Sequence, residues 1–198
     1  MKDLPWGAMF GLLFMTMGPI RAVAVFSKVG DRDDTPGARA LALRASALAA
    51  AAFILTVLIG NAVLTNWGVR FSTLIAAGGV VLVALSLQTL LFPTAPVPAQ
   101  PQDPKTVAAV AVAFSGLFPP VAVSIPLIFS APFPGWETHL GILAMGLGLV
   151  AVNLLLMLRA KRIIGAVGPV PLQLFGAVSG ILQMALGLQF IANAFALR

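Results

Sequence analysis

Cysteine, histidine and acidic residues are scarce in this 198-residue chain, and each shortage excludes a kind of chemistry. The chain has no cysteine, which excludes disulfides, thiol catalysis and cysteine metal sites. Its one histidine, His139, excludes a multi-histidine metal site, so we expect neither a metal nor a cofactor. The six Asp and Glu residues all fall outside the long apolar segments, which excludes a proton relay of membrane-embedded carboxylates.

The same scarcity argues against catalysis and against nucleic-acid binding. An active site needs a base, a nucleophile or a metal set in one place, and the apolar segments hold none, so we expect no enzyme and no catalytic residue. The net charge of +6 comes from basic residues that are scattered between apolar runs and form no basic face. We therefore expect no nucleic-acid partner.

Apolar residues are abundant instead, at 60% of the chain against 9% charged residues. A soluble fold of this size cannot bury so much apolar side chain, so we expect the lipid bilayer to be the solvent. About 20 apolar residues cross the hydrocarbon core as a helix. Six segments satisfy this length: 4–27, 40–64, 71–92, 106–130, 139–158 and 168–197. The first lacks a convincing cleavage site, so we expect a retained helix rather than a signal peptide.

Two stretches, residues 76–88 and 177–189, read almost alike at a spacing of 101 residues. The identical pairs that carry most weight are Gly79/Gly180 and Gln88/Gln189, and the same offset matches Pro19 with Pro120. Halves with three spans each must cross the bilayer in opposite directions, as in inverted-repeat transporters.

The predicted fold is therefore an all-α membrane protein whose six transmembrane helices form two inverted three-helix repeats. The first repeat covers residues 1–92 and the second covers residues 106–198. A cytoplasmic linker at 93–105 joins them, and its five prolines favour an extended chain.

Basic residues fall mainly on one side of this six-span arrangement. On that side lie Lys28, Arg32, Arg39, Arg44, Lys105, Arg159, Lys161 and Arg162. The positive-inside rule makes this side cytoplasmic, which places both termini on the periplasmic side of a bacterial inner membrane. The tryptophans agree with this orientation, because Trp6, Trp67 and Trp136 all fall at the opposite interface.

Proline breaks the first and the fourth predicted spans. Gly18 and Pro19 interrupt the first, while Pro119, Pro120 and Pro126 interrupt the fourth. A proline inside a helix removes a backbone donor and frees a carbonyl one turn earlier. Matching breaks in two halves indicate a substrate site at the repeat interface, although simple packing kinks explain them equally well.

Four polar side chains complete the predicted substrate site: Arg21, Ser124, Gln88 and Gln189. Arg21 is the only charge inside a span, two residues after Pro19, and either binds an anionic group or extends its side chain to the inner surface. The two glutamines either line a polar path or join helices. Other polar residues within the spans are weaker candidates that helix–helix contacts mostly explain: Gln183, Asn153, Asn61 and Asn193.

The chain resembles the MarC family of small integral membrane proteins, which belongs with the LysE-type exporters. The resemblance covers most of the chain and rests on four groups of residues: Gly18-Pro19-Ile20 with Phe26, Ile75 to Gly79 with Gly60 and Gly68, Ile125-Pro126-Leu127, and Leu188 to Ile191. It implies an export role for a small solute, since superfamily relatives export amino acids and other small solutes.

The sequence departs from the family pattern at polar positions. Gly18 replaces the family's Asn and Arg21 replaces a Gly, so a positive charge has moved onto the first span. Gln88 stands where the family has an acidic residue, and Ile75 stands where it has an Arg. Residues 130–132, Ser-Ala-Pro, replace a Gly-Pro-Gly. The resemblance is thus to a divergent member.

Three functions remain open from the sequence. The first is an inner-membrane transporter that exports or exchanges a small, anionic solute by alternating access. The second is a non-transporting membrane subunit or assembly factor, whose small-residue helix faces would meet a partner. The third is translocation of a lipid or lipid-linked carrier. The expected partners are the bilayer and a small solute, with a homo-oligomer or a membrane complex left open.

Overall fold

The structure, a computed structural model, describes residues 6–19, 22–23, 26, 36–91, 104–119, 121–133 and 135–196. Within these ranges the chain is helical and contains no strand. The helices are α1 (Trp6–Thr16), α2 (Pro36–Asn66), α3 (Phe71–Leu91), α4 (Pro104–Ala111), α5 (Val121–Ser130), α6 (Trp136–Leu158), α7 (Ala160–Val167) and α8 (Pro169–Ala196). A π-helical segment, Val112–Leu117, continues α4.

Four described helices are long and apolar enough to cross a membrane. They are α2, α3, α6 and α8, and they correspond to the second, third, fifth and sixth predicted spans. The first and fourth predicted spans are divided. Helix α1 has 11 residues, about 16 Å at 1.5 Å per residue, which reaches only halfway across the hydrocarbon core. The prediction of a helical membrane protein is confirmed, and the count of six spans stays a prediction.

Helices α3 and α8 form the most extensive helix pair of the structure and run antiparallel. Near the middle of α3, a methyl group added at Gly79 would lie 2.6 Å from the carbonyl oxygen of Gly187, in the second half of α8. Near the end of α3, Leu90 lies against Gly180, in the first half of α8. The absence of side chains at these glycines lets the two backbones approach closely.

Helix α2 crosses the core antiparallel to α6. The ring of Phe53 lies directly on Gly146, and Asn61 near the end of α2 donates to Ser130 Oγ at 2.7 Å, just before α6 begins. One hydrophobic core joins α1, α2, the π-helical segment, α5 and α6. The two broken spans therefore share a single core.

The outward faces of the long helices are apolar. Leu55, Leu155 and Leu188 are each more than half exposed, an arrangement that is stable only when lipid covers these faces. The three tryptophans lie at one end of the helix bundle: Trp6 packs on Gly141 in the second turn of α6, Trp136 begins that helix, and Trp67 follows α2. This common interface matches the sequence prediction.

Two features of the connections were not predicted. Residues 159–167 lie between two predicted spans and were assigned no structure, and there Ala160–Val167 forms the short helix α7, with Ala160 buried and Arg162 exposed. Helix α4 begins at Pro104, inside the predicted linker, because proline is well suited to the first turn of a helix. The rest of that linker lies outside the described residues.

Candidate functional site

The first span is broken at Gly18, as the sequence predicted. Helix α1 ends at Thr16, Met17 forms a bend, and helical geometry is found again at Pro19. Gly18 is buried, and a methyl group added there would collide with the carbonyl oxygen of Phe14, so the break needs glycine. Because Pro19 has no N–H, the carbonyl of Met15 loses the donor that a continuous helix would supply.

Two side-chain amides bind the carbonyls at this break. Gln183 Nε2 on α8 donates to Met15 O at 2.7 Å, the carbonyl that Pro19 frees. Asn153 Nδ2 on α6 donates to Met17 O at 2.6 Å. Both amides are buried and both come from the second half of the chain. The break therefore lies where the two halves of the chain meet.

The bond from Asn153 also fixes the orientation of its amide group. Only a donor can approach a carbonyl oxygen at 2.6 Å, so Nδ2 faces Met17 O and Oδ1 points elsewhere. Among the described residues, Asn153 Oδ1 is buried without a hydrogen-bond partner. A buried acceptor without a partner costs roughly 1–3 kcal/mol, so a donor that binds Asn153 Oδ1 would be stabilising.

The second break is held differently. The π-helical segment ends where the N–H of Phe118 donates to Ala113 O at 2.7 Å, five residues back, and Pro119 O accepts from Ala122 at 2.8 Å. The Phe118 ring is buried and meets Phe53 edge to face, with ring centroids 5.6 Å apart. Aromatic packing anchors this break, whereas amide hydrogen bonds anchor the first. π-Helical turns are frequent at functional sites.

Other predicted site residues surround the two breaks. Pro119 and Pro126 are buried and Pro19 is half-buried. Ser124 on α5 faces α3, where a methyl group added at Gly78 would lie 3.4 Å from Ser124 Oγ. Arg21 and Pro120 lie outside the described residues.

The glutamines of the repeated motif are not brought to the breaks. Gln88 and Gln189 are exposed on the outer faces of α3 and α8. Gln189 Nε2 donates to Asn193 Oδ1 at 2.9 Å, one turn along its own helix. The structure therefore separates both residues from the core in which the broken spans meet.

Asn153 and Gln183, which were only weaker candidates from the sequence, are thus part of the site. One signal pointed to them: the freed carbonyl of Met15 needed a donor, and few side-chain donors lie within the apolar segments. Sequence alone could not show which of those donors reaches that carbonyl.

A cavity of about 110 Å³ lies at the tryptophan end of the bundle, apart from the breaks. It is lined by Arg70, Ser72, Thr73, Ala76, Ala194 and Phe195. No residue of either break contributes to it.

The whole chain also matches a known family. The family model for MarC family integral membrane proteins matches residues 6–197, nearly the entire sequence. The chain belongs to the MarC family. No curated protein and no solved structure gives a significant match. As a MarC protein it is an integral membrane protein, and the match covers both breaks.

Proposed function

We propose that this MarC protein carries a small, anionic solute across a bacterial inner membrane by alternating access, as LysE-type exporters do. The observation that carries the proposal is the first break, where carbonyls of α1 bind amides of α6 and α8. Transporters of the inverted-repeat kind bind their substrates at such discontinuous helices, between the two halves.

The contacts between α3 and α8 support an inverted repeat. Gly79 lies against Ile191, and Gly180 lies against Leu90. The offset of 101 residues that relates the two halves matches Gly79 with Gly180 and Leu90 with Ile191. The contact of Gly79 with Ile191 therefore corresponds to the contact of Gly180 with Leu90. Exchange of the halves therefore preserves these contacts, as a two-fold axis in the membrane plane requires. Movement of one half relative to the other would then expose the site to each side in turn.

Arg21 supplies the charge selectivity in this mechanism. It follows Met17, whose carbonyl Asn153 binds, by four residues, and it is the only charged residue inside a predicted span. An arginine there favours a carboxylate or a phosphate and disfavours cations. Since no carboxylate lies in the predicted spans, we propose facilitated export or exchange rather than proton coupling through acidic residues.

A non-transporting subunit is supported less well. That function would use the small-residue faces around Gly78, Gly79 and Gly180 to bind another protein. All three glycines are buried within the chain, where they contact Ser124, Ile191 and Leu90. The described chain thus already fills these faces.

A thermal-shift screen tests the proposal. Purified protein is heated with amino acids, organic acids or phosphorylated lipids, and so are Arg21→Ala and Arg44→Ala, the latter an exposed arginine that serves as control. We expect an anionic ligand to stabilise the wild type and Arg44→Ala but not Arg21→Ala. A shift with phosphorylated lipid alone would instead indicate lipid translocation. Equal shifts in all three proteins would contradict a role for Arg21.

A further inference from the structure

The contact of Phe53 with Gly146 sets the register of the antiparallel helices α2 and α6. In antiparallel helices, each step back along α2 corresponds to an equal step forward along α6. Extended in this way, the register places the buried residues opposite one another in this order: Val57 and Ile142, Phe53 and Gly146, Ala49 and Val150, Ser46 and Asn153, and Ala42 and Met157. Four of the five pairs are apolar. Ser46 and Asn153 form the one polar level of this interface.

The polar level holds two buried atoms without partners. Within the described part of the chain, Ser46 Oγ and Asn153 Oδ1 are the buried side-chain atoms that make no hydrogen bond. Ser46 is 5% exposed and Asn153 is 0% exposed. Other hydroxyls in the long helices bond the carbonyl four residues back, as Thr56 on α2 does at 2.8 Å and Ser86 on α3 does at 2.6 Å. Ser46 Oγ makes no such bond to its own helix, so its hydroxyl can bind another group.

The chemistry of the two atoms restricts which functional group of a solute can bind both of them. Asn153 Oδ1 can only accept a hydrogen bond, whereas the Ser46 hydroxyl can donate one and accept one. A carboxylate cannot satisfy Asn153 Oδ1, because it has no hydrogen to donate. An ammonium group satisfies the amide but leaves the hydrogen of Ser46 unbound. A hydroxyl group satisfies both, accepting from Ser46 and donating to Asn153.

We propose that Ser46 and Asn153 bind a hydroxyl group of the solute that this protein carries, so that its substrate is a small hydroxylated anion. The inference rests on the proposed transport function. It is tied to the broken helix because Asn153 uses its other amide atom to bind Met17 O. The polar level formed by Ser46 and Asn153 would recognise the hydroxyl of that solute.

Three probes with the same carbon skeleton test the inference: lactate, propionate and alanine, which differ only in a hydroxyl, a hydrogen or an ammonium group. Apparent affinities are measured from the midpoint of thermal unfolding against probe concentration. Wild type should bind lactate about tenfold more tightly than propionate, the effect of one or two additional hydrogen bonds, with alanine between them. Ser46→Ala should lose part of this preference, because the lactate hydroxyl then keeps only its bond to Asn153 Oδ1.

Ser86→Ala is the matched control, because Ser86 is also fully buried but bonds its own helix. This variant should keep the preference for lactate. Without ligand, Ser46→Ala should unfold at or above the wild-type temperature, since it removes a hydroxyl that has no partner. A lowered midpoint would show that the hydroxyl is already bound within the protein, and would overturn the inference.

The remaining outcomes separate this inference from the proposed function. Equal binding of lactate and propionate to the wild type would retain an anion carrier and refute the hydroxyl subsite. Tighter binding of alanine than of lactate would do the same. A lack of response to all three probes would count against both the subsite and the carriage of small anions.

Discussion

Replacement of Gln183 by methionine tests whether an amide from α8 holds the broken first helix. Methionine has nearly the same length but cannot donate to Met15 O. The lost hydrogen bond measures 2.7 Å and the carbonyl would be left unpaired in a buried position. Interhelical hydrogen bonds in membranes average about 0.6 kcal/mol, and an unpaired buried carbonyl costs roughly 1–3 kcal/mol. We expect Gln183→Met to lower the free energy of unfolding by about 1–2 kcal/mol, measured by reversible unfolding in mixed micelles.

Pro19→Ala is the second substitution, which is combined with Gln183→Met in a double-mutant cycle. It restores a backbone N–H at position 19, which can bind Met15 O in place of the amide. In that background Gln183→Met should cost less than about 0.5 kcal/mol, so the double-mutant cycle should give a coupling energy of about 1 kcal/mol. Gln189→Met, at an exposed glutamine of the same helix, should be close to neutral. The reasoning fails if Gln183→Met is as mild as Gln189→Met, or if its cost persists with Pro19→Ala.

Further substitutions test the helix contacts. Gly79→Ala should destabilise the protein by about 1–3 kcal/mol, because the added methyl group would lie 2.6 Å from Gly187 O, whereas Gly148→Ala, with open space around it, should be neutral or slightly stabilising. If Gly79→Ala and Gly148→Ala lowered the free energy of unfolding by similar amounts, the close approach of α3 and α8 would be refuted. Gly146→Ala should also destabilise, since it collides with the ring of Phe53, and Phe53→Leu should recover part of that loss in the double variant. Independent, additive effects would show that these two positions do not touch.

Much of the fold followed from simple patterns. Apolar length located α2, α3, α6 and α8 to within a few residues, because the thickness of the bilayer fixes how long a crossing helix must be. Proline chemistry located both breaks, since a missing N–H has the same consequence in any fold. Helix α7 was missed because eight residues, with Lys161 and Arg162 adjacent and the rest non-polar, give little signal beside a long apolar span.

The site was harder to predict, and the glutamines show why. Gln88 and Gln189 stood out because they recur in the repeat, but recurrence says nothing about which face of a helix is turned inward. Asn153 and Gln183 appeared ordinary in sequence, although their amides bind the freed backbone. Such bonds join residues 136 and 168 positions apart in the chain, and only the packing of α1 against α6 and α8 brings them together.

Cysteine accessibility at the first break tests the central claim most directly, and the cysteine-free chain gives it a clean background. Ala22, fully buried just beyond the break, would be changed to cysteine, with Leu82→Cys between α3 and α8 as the control. Membrane-impermeant thiol reagents are then added to right-side-out and inverted vesicles. Alternating access predicts that Ala22→Cys is labelled from both sides, that a bound solute protects it, and that Leu82→Cys is not labelled. If Ala22→Cys is labelled from neither side, or from one side only, the break is not a site that opens to each side in turn.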